Sequence, residues 1–182
     1  MVKAVCIEKE IYEPDFNNFK KYGSVISLQD TVKTQPALTE KNFEWWGRLE
    51  VLGSPEGFEV GILRLKVNEL VISKMERHKN TQEILIPIDG KFIMPVSCHK
   101  GESNLLPPEE VKAFYIDKGQ IMILKPGIWH CAPFPLKDNI STFILFQQGT
   151  VKNDLEFRDL KNSSEIVFIQ RPAPGLGAPV WR

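Results

Sequence analysis

The sequence predicts an all-β domain, a barrel or sandwich of about seven short strands. Three observations carry this reading. Thirteen prolines and twelve glycines interrupt the chain at short intervals, which breaks long helices and suits strands joined by turns. Between the breaks lie alternating or wholly apolar runs of strand length, and a compact helical pattern occurs only near the start. The length, 182 residues, fits one domain with one sizeable core, taken as 1–182.

In order along the chain, Met1-Val2-Lys3-Ala4-Val5-Cys6-Ile7 is too short an apolar stretch for a secretory leader, and Glu8, Lys9 and Glu10 follow at once. Pro14-Asp15 opens a short amphipathic helix with Phe16, Phe19 and Tyr22 three apart, and Gly23 closes it. Residues 24–57 read as an irregular arm, with Gln35-Pro36 and Gly53-Ser54-Pro55 as breakers and Phe43, Trp45 and Trp46 as apolar anchors. The barrel core is expected over about 58–157. Its candidate strands are 58–66, 70–73, 84–88, 92–96, 111–116, 120–124 and 142–146. Asn104 to Glu110 is a proline-containing loop, and the Pro/Gly-rich tail 171–182, with Trp181 near its end, excludes regular structure.

Charge and composition exclude several classes of function. Lys plus Arg (23) balance Asp plus Glu (23), so the basic footprint of a nucleic-acid or anionic-lipid binder is missing. No stretch approaches the roughly 18 uninterrupted apolar residues of a membrane span. Cys6, Cys98 and Cys131 form no paired framework and no C-x-x-C spacing, so reduced thiols in a cytoplasm are expected.

The chemistry concentrates in two stretches. In Met75-Glu76-Arg77-His78, a strand's period of two places Glu76 and His78 on one face and Arg77 on the other. Lys79-Asn80-Thr81-Gln82 is polar enough to be a turn, after which Glu83 would start the neighbouring antiparallel strand, a cross-strand carboxylate within reach of the first two groups. Far along the chain, Gly119 to His130 reads as a strand, a Pro126-Gly127 turn and a histidine. Two imidazoles with one or two carboxylates make a mixed N/O site suited to a divalent transition metal such as Ni, Mn, Fe or Zn. On the residues alone, the alternative is that the histidines are hydrogen-bonded barrel residues and the glutamates pair with Arg77, Lys91 or Lys125.

These stretches resemble the two signature motifs of the cupin superfamily. The first runs His-x-His, then Glu, then Gly; here Glu76 takes the place of the first His, while His78, Glu83 and Gly90 keep their spacing. In the second, Gly119, Gly127 and His130 keep theirs, and Lys125 stands where proline is usual. More narrowly, the chain resembles the ureidoglycolate lyase, or ureidoglycolate hydrolase, family over about residues 14–157. The matching residues are Phe19-x-x-Tyr22-Gly23-x-Val25-Ile26, Glu76-Arg77-His78 with Thr81-Gln82, Ala113-Phe114, Gly119-Gln120, Gly127-x-Trp129-His130 and Asn153-Asp154-x-Glu156. They occur in the family's order. The family's Glu-Arg-His explains the departure at Glu76, while Glu83 stands where members often carry Gln.

The resemblance implies a cupin double-stranded β-helix, a jelly-roll barrel with a short N-terminal helix. It also implies a carbon–nitrogen lyase of the amidine-lyase type that cleaves ureidoglycolate to glyoxylate and urea in allantoin and purine breakdown. Glu76, His78, Glu83 and His130 are then the catalytic and metal-binding set. The histidines are ligands, one glutamate is the third ligand and the other is the base. Gln82, Lys91, Lys125 and Trp129 are candidates for holding substrate. The alternatives are another cupin metalloenzyme acting on a small hydroxy acid, and a cupin that binds a small acid without catalysis. A homodimer is expected, with the aromatic segment 43–46 and Trp181 as contact candidates. His99 reads as a solvated loop histidine, Cys131 as facing away from His130, and Asn153-Asp154 as a self-capping turn.

Overall fold

A computed structural model describes residues 6–40, 44–45, 49–50, 52–53, 56–161 and 165–169. Phe43, Trp46, Trp181 and the 171–182 tail lie outside the described residues, as do the side chains of Phe16 and Trp45. The chain begins with β1 (Cys6–Tyr12), α1 (Phe16–Phe19), β2 (Gly23–Ser27), α2 (Leu28–Thr31), β3 (Leu38–Thr39) and β4 (Glu44–Trp45). Then follow β5 (Phe58–Leu65), β6 (Val71–Ile72), β7 (Lys74–Arg77), β8 (Glu83–Pro87), β9 (Phe92–Ser97) and β10 (Leu105–Leu106). A 3-10 turn, Pro108–Glu110, leads to β11 (Lys112–Ile116), β12 (Gln120–Leu124), β13 (Trp129–His130), β14 (Phe134–Pro135) and β15 (Ile140–Gln147). The chain continues through α3 (Thr150–Asn153), β16 (Glu156–Leu160) and β17 (Glu165–Ile169).

These strands form two main sheets. The larger runs β10-β16-β7-β13-β9-β11-β1-β17-β6, with β14 also on β9, and the smaller runs β2-β12-β8-β15-β5. Successive strands pass from one sheet to the other: β7 lies in the larger and β8 in the smaller, β11 in the larger and β12 in the smaller. This back-and-forth path makes the jelly-roll barrel that the cupin resemblance implies.

Alternation explains the packing. On β9, Phe92, Met94 and Val96 join Leu85, Met122 and Leu124 of the smaller sheet in the core between the sheets. Ile93, on the opposite face of the same strand, packs with Met75, Ala113, Trp129, Ile166 and Phe168 in a second core formed by strands of the larger sheet. All six side chains of β9 are therefore buried, and its sequence is correspondingly a near-continuous apolar run.

The structure corrects the expected element set at both ends. The predicted helix is only the four residues of α1, capped by Asp15, whose Oδ1 accepts from the Asn17 and Asn18 amides at 2.7 and 2.9 Å. Phe19 and Tyr22 still serve as anchors, stacking on Phe114 with ring centroids 5.0 and 5.6 Å away. The expected arm begins instead as β2, paired with β12 from Gly23↔Leu124 to Ser27↔Gln120. Glycine is needed there because a Cβ at position 23 would lie 1.7 Å from the Ile123 carbonyl oxygen. The barrel also extends beyond 58–157: β1 runs parallel to both β11 and β17. β1 leaves Glu8 and Glu10 exposed and half-buries Ile7 and Ile11 against its neighbours. Among the described residues, no helix is long and apolar enough to cross a membrane.

Candidate active site

The four motif residues meet inside the barrel. Register places His130 of β13 directly opposite Glu76 of β7, and His78 follows β7 by one residue. The Pro126-Gly127 turn is tied to this edge by the Gly127 amide, which donates to the His78 carbonyl at 2.6 Å. A φ of 79° at Gly127 lies in the left-handed region that favours glycine. Glu83 arrives differently from expectation. It starts β8, which pairs with β12 and β15 in the smaller sheet rather than with β7. The 78–83 connection is a crossing between sheets, so Glu83 faces the histidines across the barrel interior.

His78, Glu83 and His130 are 6%, 6% and 3% exposed, and one ligand atom from each lies within 4.8 Å of the others. The Glu83 Oε2 is 2.7 Å from His130 Nε2 and 3.9 Å from His78 Nε2. Glu76 stands at the edge of the group, its Oε1 4.0 Å from His130 Nε2, with a side chain 29% exposed.

Hydrogen bonds decide which ring nitrogens face this centre. His78 Nδ1 is 2.8 Å from the Asp154 carbonyl and His130 Nδ1 is 3.0 Å from the Ile128 carbonyl. A carbonyl can only accept, so both Nδ1 atoms carry hydrogen and both Nε2 atoms turn inward. The short His130–Glu83 contact is an ion pair without hydrogen-bond geometry: His130 Nε2 and Glu83 Oε2 are both buried with no hydrogen-bonded partner. Burial works against charge on His130, yet the Glu83 carboxylate, helped by the Ile128 carbonyl and Glu76, lifts its pKa from 6.5 to about 9. Burial likewise works against charge on Glu83, but His130 and then His78 hold its pKa below the usual carboxylate value. Two inward imidazole nitrogens and a buried carboxylate oxygen left without hydrogen bonds, with each imidazole oriented by a backbone carbonyl, fit a divalent cation.

The group opens on a cavity of about 360 Å³ walled by Leu63, Leu85, Met94, Ile144 and Phe146. Among the described residues lining it there is no lysine or arginine. Cys131 borders the cavity but packs against the second core, as expected from alternation after His130, and burial pushes its thiol pKa up, keeping it protonated.

The structure brings none of the four substrate-binding candidates into the cavity wall. Lys91 pairs with Asp117 and Glu13 at 3.0 and 3.5 Å, and the Lys125 ammonium donates to the Lys20 carbonyl. Gln82 is half-buried between the buried Thr81 and Glu83 and does not line the cavity. Trp129 is fully buried in the second core, with Arg77 and Arg158 over its ring at 4.4 and 4.8 Å. Arg77 does take the opposite face from Glu76 and His78, bonding Glu156 through Nε and Nη2 at 2.9 and 2.7 Å. His99 is not solvated: its side chain is 12% exposed and Nδ1 meets Glu110 Oε2 at 3.0 Å. Residue-by-residue reading missed the apolar wall and the supports of the two histidines. The Ile128 support is main chain and leaves no side-chain pattern, while Asp154 lies 76 residues from His78 and is marked in the sequence only by the family match at Asn153-Asp154-x-Glu156.

The sequence profile of the family described as ureidoglycolate lyase matches residues 14–167. The chain belongs to the ureidoglycolate lyase family. A protein of Agrobacterium fabrum, provisionally named a ureidoglycolate lyase, is 32% identical over 66 residues, 36% of this chain and 41% of that protein. The match thus spans about two-fifths of the curated relative's length. Solved structures similar to this family member include the 3,4-ketoisomerase QdtA of Thermoanaerobacterium thermosaccharolyticum. It is 13% identical with a TM-score of 0.46, covering 73% of this chain and 85% of that one. WlaRA, a TDP-fucose-3,4-ketoisomerase of Campylobacter jejuni, is 10% identical with a TM-score of 0.45, covering 73% and 87%. The RmlC epimerase of Mycobacterium tuberculosis is 11% identical with a TM-score of 0.41, covering 54% and 49%.

Proposed function

We propose that this protein is a metal-dependent carbon–nitrogen lyase that splits ureidoglycolate into glyoxylate and urea. The observation that carries the reading is the buried meeting of His78, Glu83 and His130 around one point, in a chain of the ureidoglycolate lyase family. These three residues would hold a divalent transition metal such as Ni, Mn, Fe or Zn. When bound, the cation supplies Lewis acidity toward the carbinol hydroxyl and a positive charge for the substrate carboxylate, which no lysine or arginine among the described lining residues provides.

Glu76 is the base in this reading. It lies beside the centre, and its partial exposure gives its proton a path to solvent. Glu76 takes the hydroxyl proton, the oxygen's electron pair closes the aldehyde carbonyl, and the C–N bond breaks with its pair leaving on the urea nitrogen. The protonated Glu76 then returns the proton to that nitrogen, so one group serves as base and acid and the atoms balance. The apolar wall of Leu63, Leu85, Met94, Ile144 and Phe146 keeps the site poor in water.

The test is release of glyoxylate from ureidoglycolate by protein loaded in turn with Ni, Mn, Fe and Zn, and by chelator-treated protein. Turnover with at least one metal and its loss on chelation are expected. Absence of turnover with every metal, on folded protein that binds them, sinks the proposal.

A further inference from the structure

We propose that Asp154 is a positioning residue for the site: its carboxylate clamps the 79–81 turn so that its own carbonyl fixes the His78 ring. The inference rests on His78 being a ligand. The carboxylate has four contacts with consecutive residues after His78. Oδ1 accepts from the Lys79 amide at 2.9 Å and the Asn80 side-chain amide at 3.1 Å. Oδ2 accepts from the Asn80 amide at 2.9 Å and the Thr81 hydroxyl at 3.1 Å. The same residue's carbonyl accepts from His78 Nδ1 at 2.8 Å. Four consecutive residues are thus held by one.

Asp154 is itself well placed to act as an anchor. It caps the C-terminal end of α3, where its amide donates to the Thr150 carbonyl at 2.8 Å. The Thr150 hydroxyl in turn donates to the Gln147 carbonyl at 2.7 Å and lies 3.3 Å from the Thr81 hydroxyl. The clamp therefore connects the end of β15, through α3, to the loop that crosses between the sheets.

The two histidines differ in how they are supported. His130 leans on the carbonyl of Ile128, two residues away in its own turn, so its ring direction is set locally. The partner of His78 lies 76 residues away, and the carbonyl reaches the ring only while the 78–81 and 153–155 segments stay in register. The β16–β7 ladder begins only at Glu156↔Arg77, and beyond it the Asp154 carboxylate holds the 79–81 turn in that register. Without it, four donors turn to water, the carbonyl drifts from Nδ1, and the ring is free to protonate on Nε2, the nitrogen that must face the cation.

The experiment uses the full chain with Asp154→Ala and, where that variant folds poorly by circular dichroism, Asp154→Asn, which keeps the shape but replaces one acceptor oxygen with a donor. Long-range ¹H–¹⁵N spectra of the histidine rings in metal-free protein, at a pH where the rings are neutral, report the tautomers. Calorimetric titration with Ni²⁺, Mn²⁺ and Zn²⁺ reports affinity. The expected result is a His78 tautomer shifted away from Nδ1–H with His130 unchanged, and metal Kd raised about 10–100-fold, the range seen when outer partners of ligands are lost. A wild-type His78 tautomer in the variant overturns the proposal, as does a Kd within twofold of wild type. If wild-type protein binds none of the metals, the metal reading fails, and the tautomer spectra still decide the role of Asp154.

Discussion

Replacing Glu156 by Gln probes the charge cluster that holds β16 against β7. The Glu156 carboxylate takes Arg77 Nη2 at 2.7 Å, Lys79 Nζ at 2.8 Å and Arg158 Nη2 at 3.0 Å. Two of these cations cover the Trp129 ring, and the register Glu156↔Arg77 aligns the strand that carries Glu76. Burial tends to raise the Glu156 pKa, but hydrogen bonds from Lys79, Arg77 and Arg158 and the charge of Arg77 outweigh it, bringing it from 4.5 to about 2. That drop corresponds to at most about 3 kcal/mol at neutral pH. The side chain is 24% exposed, and screening by water reduces the contribution to about 1–2 kcal/mol. Because the folded pKa lies below the unfolded one, the contribution is complete above pH 4.5 and disappears as pH falls toward 2. Glu156→Gln should therefore unfold at lower urea at pH 7, by about 1–2 kcal/mol, and the two proteins should draw together below pH 4.5 and converge only as the pH falls through about 2. Urea titrations at pH 7, 5, 3 and 2, followed by circular dichroism, measure this. A deficit that stays constant with pH would refute the charge-based account, because a lost packing contact does not titrate.

Four further outcomes follow from the same structure. Glu83→Gln should weaken divalent-metal binding by about 100-fold or more, since losing a ligand costs no less than losing one of its supports; calorimetry against wild type checks it. Glu76→Gln should lower kcat for ureidoglycolate by about 10²–10⁴ while leaving metal content unchanged, which parallel turnover and metal analysis would show. Trp129→Leu removes a fully buried ring, its contacts with the Arg77 and Arg158 guanidinium groups and its Nε1 bond to the His99 carbonyl at 3.2 Å, and should cost about 3–5 kcal/mol in chemical denaturation. Gly23→Ala forces a methyl against the Ile123 carbonyl, costing about 1–3 kcal/mol. Hydrogen exchange should show the loss concentrated in the β2 amides.

The legible part of this protein was local. Alternation in Glu76-Arg77-His78 was enough to place two groups inside and Arg77 outside, because side-chain direction on a strand depends only on parity. The seven apolar runs from 58 to 146 became strands for the same reason. Segments without a strong pattern of their own were not legible. β1, β2 and β17 take their burial from β11, β12 and one another, a property of strand order rather than of any window of sequence. The same holds within the site. The four motif residues could be named from spacing, but tertiary structure alone decided that Glu83 comes from the facing sheet and that Asp154 holds His78. It also left Lys91, Lys125 and Trp129 out of the cavity. Short-range periodicity is written into the chain; which distant segments become neighbours is set by how two sheets close over one core.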